Sequence, residues 1–403
     1  MHSALFLLPL AFRSAAAIYY PVREYSGNTF FDSWSFYDNV DDTTWGNVTF
    51  VGEATANSTQ LISVNSAGNA IIRVDDTDMV AAATLIHRNS VSTSSFLSFA
   101  EWRLMGGAGS DYLAGYVWGG QCYCRGFRAF AVWPSFWLLG QGLWPNAGEV
   151  DIIEGINLAD ANQFSMHTTA GCTQPANVTQ TGKTTVNNCL DVSGTNNNGC
   201  ITVATEPNSL GEGFATAGGG VYAVQMDVNG IYMWFWSRSD IPKSISGSTA
   251  TSTLEVSDWG TPSAAYPATT CNITEFFQPQ QMILDITLCG LWAGVPSIYA
   301  QTCPGTCIDN IIGNGSVYAN AYFEIPYIRT YSLTQQNAAE TTNSTTGGNG
   351  SGASDSKSGS PGDSSQSGST PSPSGTSAAD ALSVSWRRVA LLVGFLVALV
   401  HAI

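Results

Sequence analysis

Positive charge is the first thing missing. The 403 residues hold 14 Lys and Arg against 30 Asp and Glu, a formal net charge of −16. A nucleic-acid binder needs a basic face to neutralise phosphates, and this chain has no surplus to build one. Charge of either sign is thin, at 11% of residues, while 44% are hydrophobic, so most of the chain is not a solvated, disordered polymer. Long helical periodicity is scarce between residues 18 and 335, and no internal repeat of fixed period is present. No Gly-x-Ser-x-Gly occurs in the part that reads as folded, which leaves a serine hydrolase without support. Gly182-Lys183-Thr184 ends like a phosphate-binding loop, but Asn177 stands where the earlier glycine is required.

What is present is aromatic, glycine-rich and punctuated. There are 41 Gly, 12 Trp, 15 Tyr, 18 Phe and 9 Cys. That is enough chain for one large β-type domain or two smaller ones. Short β-rich runs recur: Asn69–Val74, Gly220–Val228, Ile231–Trp236, Met282–Leu288 and Ala321–Tyr331, with Asn229-Gly230 as a hairpin signal between two of them. Many short strands with Gly, Asn and Pro between them predict an all-β fold, a sandwich or β-jelly roll of two antiparallel sheets.

The ends read as addresses. Residues 4–10 form a short apolar run followed by Ser14-Ala15-Ala16-Ala17, the pattern of a signal peptide over residues 1–17. Residues 336–380 are Ser, Thr, Gly, Asn and Pro with almost no large apolar side chain, a disordered and O-glycosylated stalk. Residues 381–403 carry an apolar tail, Val389–Ile403, too short for the roughly 20 residues a span requires. Small residues Ser374–Ala378, a polar spacer and that tail match a GPI-attachment signal; a single-span anchor flanked by Arg387 and Arg388 is the alternative. Seven Asn-x-Ser/Thr sequons, at Asn47, Asn57, Asn177, Asn272, Asn314, Asn343 and Asn349, support a secreted glycoprotein. The expectation is a cell-surface protein held to the membrane through a lipid anchor. In such a compartment the cysteines favour disulfides. Cys122-x-Cys124 and Cys303-x-x-x-Cys307 lack the second matched pair that a metal site requires. The odd count leaves at least one thiol over or bridged to another chain, with pairings open.

The chemistry concentrates in Gly148-Glu149-Val150-Asp151-Ile152-Ile153-Glu154-Gly155. The β-branched residues predict a strand. Three carboxylates among them predict a face that lines a polar cleft, because burying unpaired charge is costly. Glu149 and Asp151 share a face by period two. Glu154 has the wrong parity, and one extra residue in a β-bulge would return it to that face. Two carboxyls about 5–5.5 Å apart are what a retaining glycosidase needs. Three neighbouring carboxylates repel, so at least one should keep its proton, as a general acid must. Trp133, Trp137 and Trp144 precede the acids and His167 follows. Indole faces pack on the C–H faces of sugars; the bland alternative is core, which suits Trp133 best.

Trp133-Pro-Ser-Phe-Trp137, Leu143-Trp-Pro-Asn-Ala-Gly-Glu-Val-Asp-Ile-Ile-Glu-Gly-Ile-Asn157, His167-Thr-Thr-Ala-Gly-Cys172 and Leu288-Cys-Gly-Leu-Trp-Ala-Gly294 together resemble glycoside hydrolase family 16, in its fungal laminarinase-like endo-1,3(4)-β-glucanase group, over roughly residues 18–335. The resemblance implies a jelly-roll sandwich with a concave substrate cleft, β-glucan as substrate, a monomer, no required cofactor and no catalytic metal, with room for a structural Ca²⁺ on the convex side. By motif position it makes Glu149 the nucleophile, Asp151 the assisting carboxylate and Glu154 the acid/base. It makes Trp137, Trp144, His167, Trp292 and, more weakly, Asn157 substrate-binding residues. Ser92–Phe130 departs from the pattern, and the cysteine expected just before Val132 is absent, with Ala129 and Phe130 near its place. The same carboxylates would serve a cell-wall transglycosylase, and a catalytically inactive glucan-binding wall protein is the reading from a different class.

Overall fold

The computed structural model describes residues 18–76, 93–94, 97–98, 116–124, 130–192, 195, 198–312 and 315–333. The signal, stalk and tail expected at the two ends lie outside them. All five β-rich runs form strands. In chain order the principal strands are β1 (Ile18–Ser26), β2 (Ala70–Arg73), β3 (Tyr116–Cys124), β4 (Val132–Gly140), β5 (Glu149–Glu154), β6 (Gln163–His167), β7 (Cys200–Val203), β8 (Gly220–Asp227), β9 (Gly230–Ser237), β10 (Ala264–Pro267), β11 (Gln280–Leu288) and β12 (Ala321–Ser332). Helices are short, none of those described exceeding six residues.

Two antiparallel sheets carry the fold, as the punctuated strands predict. The larger has nine strands in the order Leu254–Glu255, β1, β12, β3, β8, β9, β10, with β2 also on β12 and Ile62–Val64 on β2. The eight-stranded sheet runs Lys183–Val186, β7, β6, β5, β4, β11, Leu97–Ser98, Ser35–Phe36. The hairpin signal holds: β8 and β9 turn across Val228-Asn229, with Asp227 opposite Gly230. β3 falls inside the Ser92–Phe130 stretch that has no counterpart in the family pattern, yet it occupies a central slot between β12 and β8.

Alternation along the strands explains the core. In β4 to β6 and β11, Phe136, Leu138, Val150, Ile153, Phe164, Met166, Leu284 and Ile286 point inward and are buried against Tyr222, Val224, Met233, Phe235, Phe323 and Ile325 of the other sheet. The outer face of the nine-stranded sheet has its own apolar cluster, Tyr19, Val221, Ala223, Trp234, Leu254, Trp259 and Tyr331. A small third sheet, Asn39–Val40, Thr49–Phe50 and Thr93–Ser94, includes one parallel pairing. Next to it Val48 and Phe50 pack on Trp137 and Ile283, on the face of the eight-stranded sheet that points away from the main core. Three disulfides link Cys172 to Cys271, Cys189 to Cys200 and Cys289 to Cys307, and Cys303 is a buried free thiol. Disulfides were the expected use of these cysteines; Cys122 and Cys124 lie where side chains are outside the described part.

Candidate active site

The acidic strand β5 sits at the middle of the eight-stranded sheet, between β4 and β6. Its register against β4 pairs Glu149 with Leu139, Val150 with Leu138 and Asp151 with Trp137, then jumps so that Ile153 pairs with Phe136 and Glu154 with Ser135. Ile152 is the extra residue of a β-bulge. Two residues of β5 oppose one of β4 at that step, and Glu154 returns to the face of Glu149 and Asp151. The bulge has a dedicated support. β6 pairs with β5 only over Glu149–Asp151, so beyond that point the backbone of β5 needs other partners. Asn162, wholly buried, supplies them: its Nδ2 donates to the Ile152 carbonyl (2.9 Å) and its Oδ1 accepts from the Glu154 N–H (3.0 Å).

Gly148 turns the chain into β5 in the left-handed region (φ 76°), where a Cβ would lie 2.4 Å from the Phe277 ring. Both outer acids then meet an indole. Trp144 Nε1 donates to Glu149 Oε2 at 2.8 Å, and Trp133 Nε1 donates to Glu154 Oε1 at 3.0 Å. Ser165 Oγ and Gln163 Nε2 approach Glu154 Oε2 at 3.3 and 3.4 Å. His167 stands opposite Glu149 in the β5–β6 ladder. Its Nε2 lies 3.1 Å from Asp151 Oδ2 and 3.8 Å from Glu149 Oε1, and its Nδ1 is 2.8 Å from Asp191 Oδ2.

These contacts set the protonation. Burial pushes the Glu149 and Glu154 carboxyls well above the ordinary carboxylate range, and the charge of Asp151 adds to it; the indole N–H bonds act in the opposite direction. Burial alone would lower His167, but its contacts with Asp151 and Asp191 and the charge of Glu149 outweigh that and raise its pKa, which favours the imidazolium. Asp285, on β11 opposite Ser135, is buried on the same face, and burial together with the neighbouring Asp41 raises its carboxyl. The site therefore holds several carboxyl groups with fewer negative charges than groups, the state that acid–base chemistry needs. Among the described residues, Glu149, Asp151 and His167 are the one cluster whose ligand atoms, all within 4.8 Å of one another, could approach a metal. Both ring nitrogens of His167 face carboxylates, which suits an ion pair between protonated imidazole and acids better than metal ligation.

The predicted sugar-binding residues are distributed less evenly. Trp144 and His167 border Glu149, with ring centroids 6.2 Å apart. Trp292 meets Trp133 edge-on at 5.4 Å, beside Glu154. Trp137 is on the acid face but only 8% exposed, covered by the packing of Val48 and Phe50. Asn157 lies beneath the site: its Oδ1 accepts from the Ala131 N–H (2.9 Å) and its Nδ2 donates to the Ala293 carbonyl (3.1 Å), fixing the turn that carries Trp292. Sequence reasoning overlooked Asn162, Ser165, Gln163, Asp191 and Asp285. Only Asp285 left a signal, as a lone carboxylate in the apolar run Met282–Leu288.

Against known proteins, the XgeA-like catalytic domain model of glycoside hydrolase family 16 matches residues 34–106 and 123–331, the break falling inside Ser92–Phe130. A probable glycosidase of Schizosaccharomyces pombe is 34% identical over 78% of this chain and 70% of its own length. The endo-1,3(4)-β-glucanase xgeA of Emericella nidulans is 33% identical over 79% of this chain and 48% of its own. The chain thus spans about half the length of that enzyme and of the Aspergillus clavatus relative. Among solved structures, laminarinase 16A from Phanerochaete chrysosporium, with β-glucans in its donor and acceptor sites, is 33% identical with a TM-score of 0.68, covering 78% of this chain and 100% of that one. An elongating family 16 β-1,3-glucosyltransferase is 34% identical with a TM-score of 0.65, covering 78% and 99%. The family model and relatives of this identity and coverage place the chain plainly: it belongs to glycoside hydrolase family 16, among its XgeA-like catalytic domains.

Proposed function

We propose that this protein is an endo-1,3(4)-β-glucanase that cleaves β-glucan with retention of configuration. The observation that carries the reading is the bulge at Ile152, which sets Glu149, Asp151 and Glu154 on one face, each outer acid bonded to a tryptophan N–H. In the first step a Glu149 oxygen bonds to the anomeric carbon while Glu154 gives its proton to the departing glycosidic oxygen. In the second, Glu154, now ionised, takes a proton from water, whose oxygen displaces Glu149 from that carbon. Asp151 and the His167 imidazolium hold the negative charge of the trio in place between steps. Burial and the charge of Asp151 raise both outer acids alike, so a proton stays among them at a pH where an ordinary carboxyl has lost it, and the acid role assigns that proton to Glu154.

The test is Glu149→Gln assayed on laminarin and lichenan with product sizing. Reducing-sugar release should fall by about 10³-fold or more with glucan binding retained; an unchanged rate rejects the assignment. The variant should also melt higher than the parent at pH 7. A carboxyl whose folded pKa is raised contributes stability fully only below its unfolded pKa, and that stability is lost as pH rises through the folded value. Gln carries no such penalty.

Transglycosylation is the second reading, supported by the similarity to an elongating β-1,3-glucosyltransferase. There an acceptor sugar hydroxyl replaces water in the second step, and longer products without reducing-sugar release would establish it. The signal-like start, the Ser/Thr-rich segment and the GPI-like tail support action at the cell surface under a lipid anchor. Release of the protein from cells by a phosphoinositide-specific phospholipase tests that placement.

A further inference from the structure

We infer that Trp45 is an aromatic platform for glucosyl units of a β-glucan chain beyond those that contact the acids, an inference that rests on the glucanase reading above. Trp45 is 63% exposed, yet its backbone is in the left-handed region (φ 57°), where a bulky side chain is disfavoured. It is nevertheless held rigidly. Asp41, 5% exposed, accepts six hydrogen bonds that close the loop: from Thr43 N–H and Oγ1, Thr44 N–H and Oγ1, the Gly46 N–H and Thr287 Oγ1. Gly46 has no room for a side chain, since a Cβ there would lie 1.9 Å from Thr287 Oγ1.

The anchoring points place this loop on the acid side of the eight-stranded sheet. Thr287 is opposite Trp133 in the β4–β11 ladder, so the two side chains leave the same face, one strand step beyond the Ser135–Asp285 pair that borders Glu154. Gly46 bridges to Cys289, and the Leu291 N–H donates to the Thr44 carbonyl at 2.9 Å. Leu291 is 65% exposed and adjoins Trp292, which packs edge-on against Trp133. Contacts thus link Glu154 to Trp133, Trp133 to Trp292, and the neighbouring Leu291 to the Asp41–Gly46 loop. A glycine at position 45 would relieve the backbone, so stability does not explain an exposed indole there. A polymer leaving the Glu154 end of the site has the chemistry to use it, with apolar sugar faces for the ring and hydroxyls for the polar loop.

The experiment compares Trp45→Ala, Trp45→Gly and Trp45→Phe in the full chain, each with Asn47→Gln so that sugar on the adjacent sequon does not confound the result. The readout is kcat/KM on laminarin divided by kcat/KM on laminaritetraose. The Ala and Gly variants should lower that ratio by about 5- to 50-fold and the Phe variant by less, with Trp45→Gly melting above the parent. An unchanged ratio, or equal loss on both substrates, overturns the inference. Affinity for the two glucans measured in a Glu149→Gln background, with and without Trp45→Ala, separates this from the parent reading. If the unmodified protein cleaves neither substrate, the glucanase reading falls, while a length-dependent affinity that disappears with Trp45→Ala still supports the platform. Equal affinities in that background, or no glucan binding at all, overturn it.

Discussion

Replacing Trp133 and, separately, Trp144 with phenylalanine removes one N–H from each outer carboxylate and leaves a ring in its place. Each bond, at 3.0 Å to Glu154 and 2.8 Å to Glu149, is strongest when its carboxyl is ionised and so favours that form, and deletion raises the carboxyl pKa in both variants. A hydrogen bond to a charged group contributes about 1.5–3 kcal/mol. At about 1.4 kcal/mol per pH unit, that is a rise of roughly one to two units. The consequences for rate differ because the two acids are assigned opposite states. Glu149 must be ionised to attack, so Trp144→Phe moves the acidic limb of the kcat/KM profile upward and narrows it. Glu154 must be protonated to act as acid, so Trp133→Phe moves the alkaline limb upward and widens it. The assay is kcat/KM on laminarin across pH. The three acids share charge, so each limb belongs to the group as a whole; the contrast between the two variants, rather than either midpoint, carries the information. Movement of the same limb in both variants refutes the division of roles, and the reverse pattern exchanges them.

Glu154→Ala should slow laminarin cleavage by about 10²- to 10⁴-fold, yet form β-configured glucosyl azide when azide is supplied with an aryl glucoside; α-configured azide would reassign the nucleophile. Asn162→Ala leaves the Ile152 carbonyl and the Glu154 N–H without their buried partner, a cost of about 2–6 kcal/mol for two unsatisfied groups, read as a fall in the urea midpoint, and a change under 0.5 kcal/mol refutes the role of Asn162 in holding the bulge.

The acid strand was legible because two rules of different range agreed on it. Period-two alternation is local and put Glu149 and Asp151 on one face; the misplaced parity of Glu154, set against the cost of sending a carboxylate into an apolar core, required a bulge somewhere between them. Ile152 is where it occurs. The odd cysteine count was legible in the same way. It required a thiol left over or bridged to another chain, and among the described residues Cys303 is a buried free thiol. What alternation does not reveal is what covers a face. Trp137 has the parity of the acids and reads as a cleft residue, but whether water reaches it depends on Val48 and Phe50, nearly ninety residues earlier in the chain.

Asn162 marks the deeper limit. A bulge solves the side-chain problem of Glu154 and creates a backbone one, because a strand that leaves its ladder strands its own N–H and C=O groups in the interior. Some side chain with both a donor and an acceptor must answer them, and an amide offers both in a single plane without a change of charge. The need for such a residue therefore follows from the sequence as soon as the bulge does. Its identity does not, because Ala161-Asn162-Gln163 looks like any polar turn until the chain has closed and Asn162 lies against Ile152 and Glu154. The same holds for Asp191 against His167 and for Asp41 under the loop of Trp45. The groups that react sit on one strand, where spacing is informative, while Asn162, Asp191 and Asp41 arrive from loops whose only local signature is polarity.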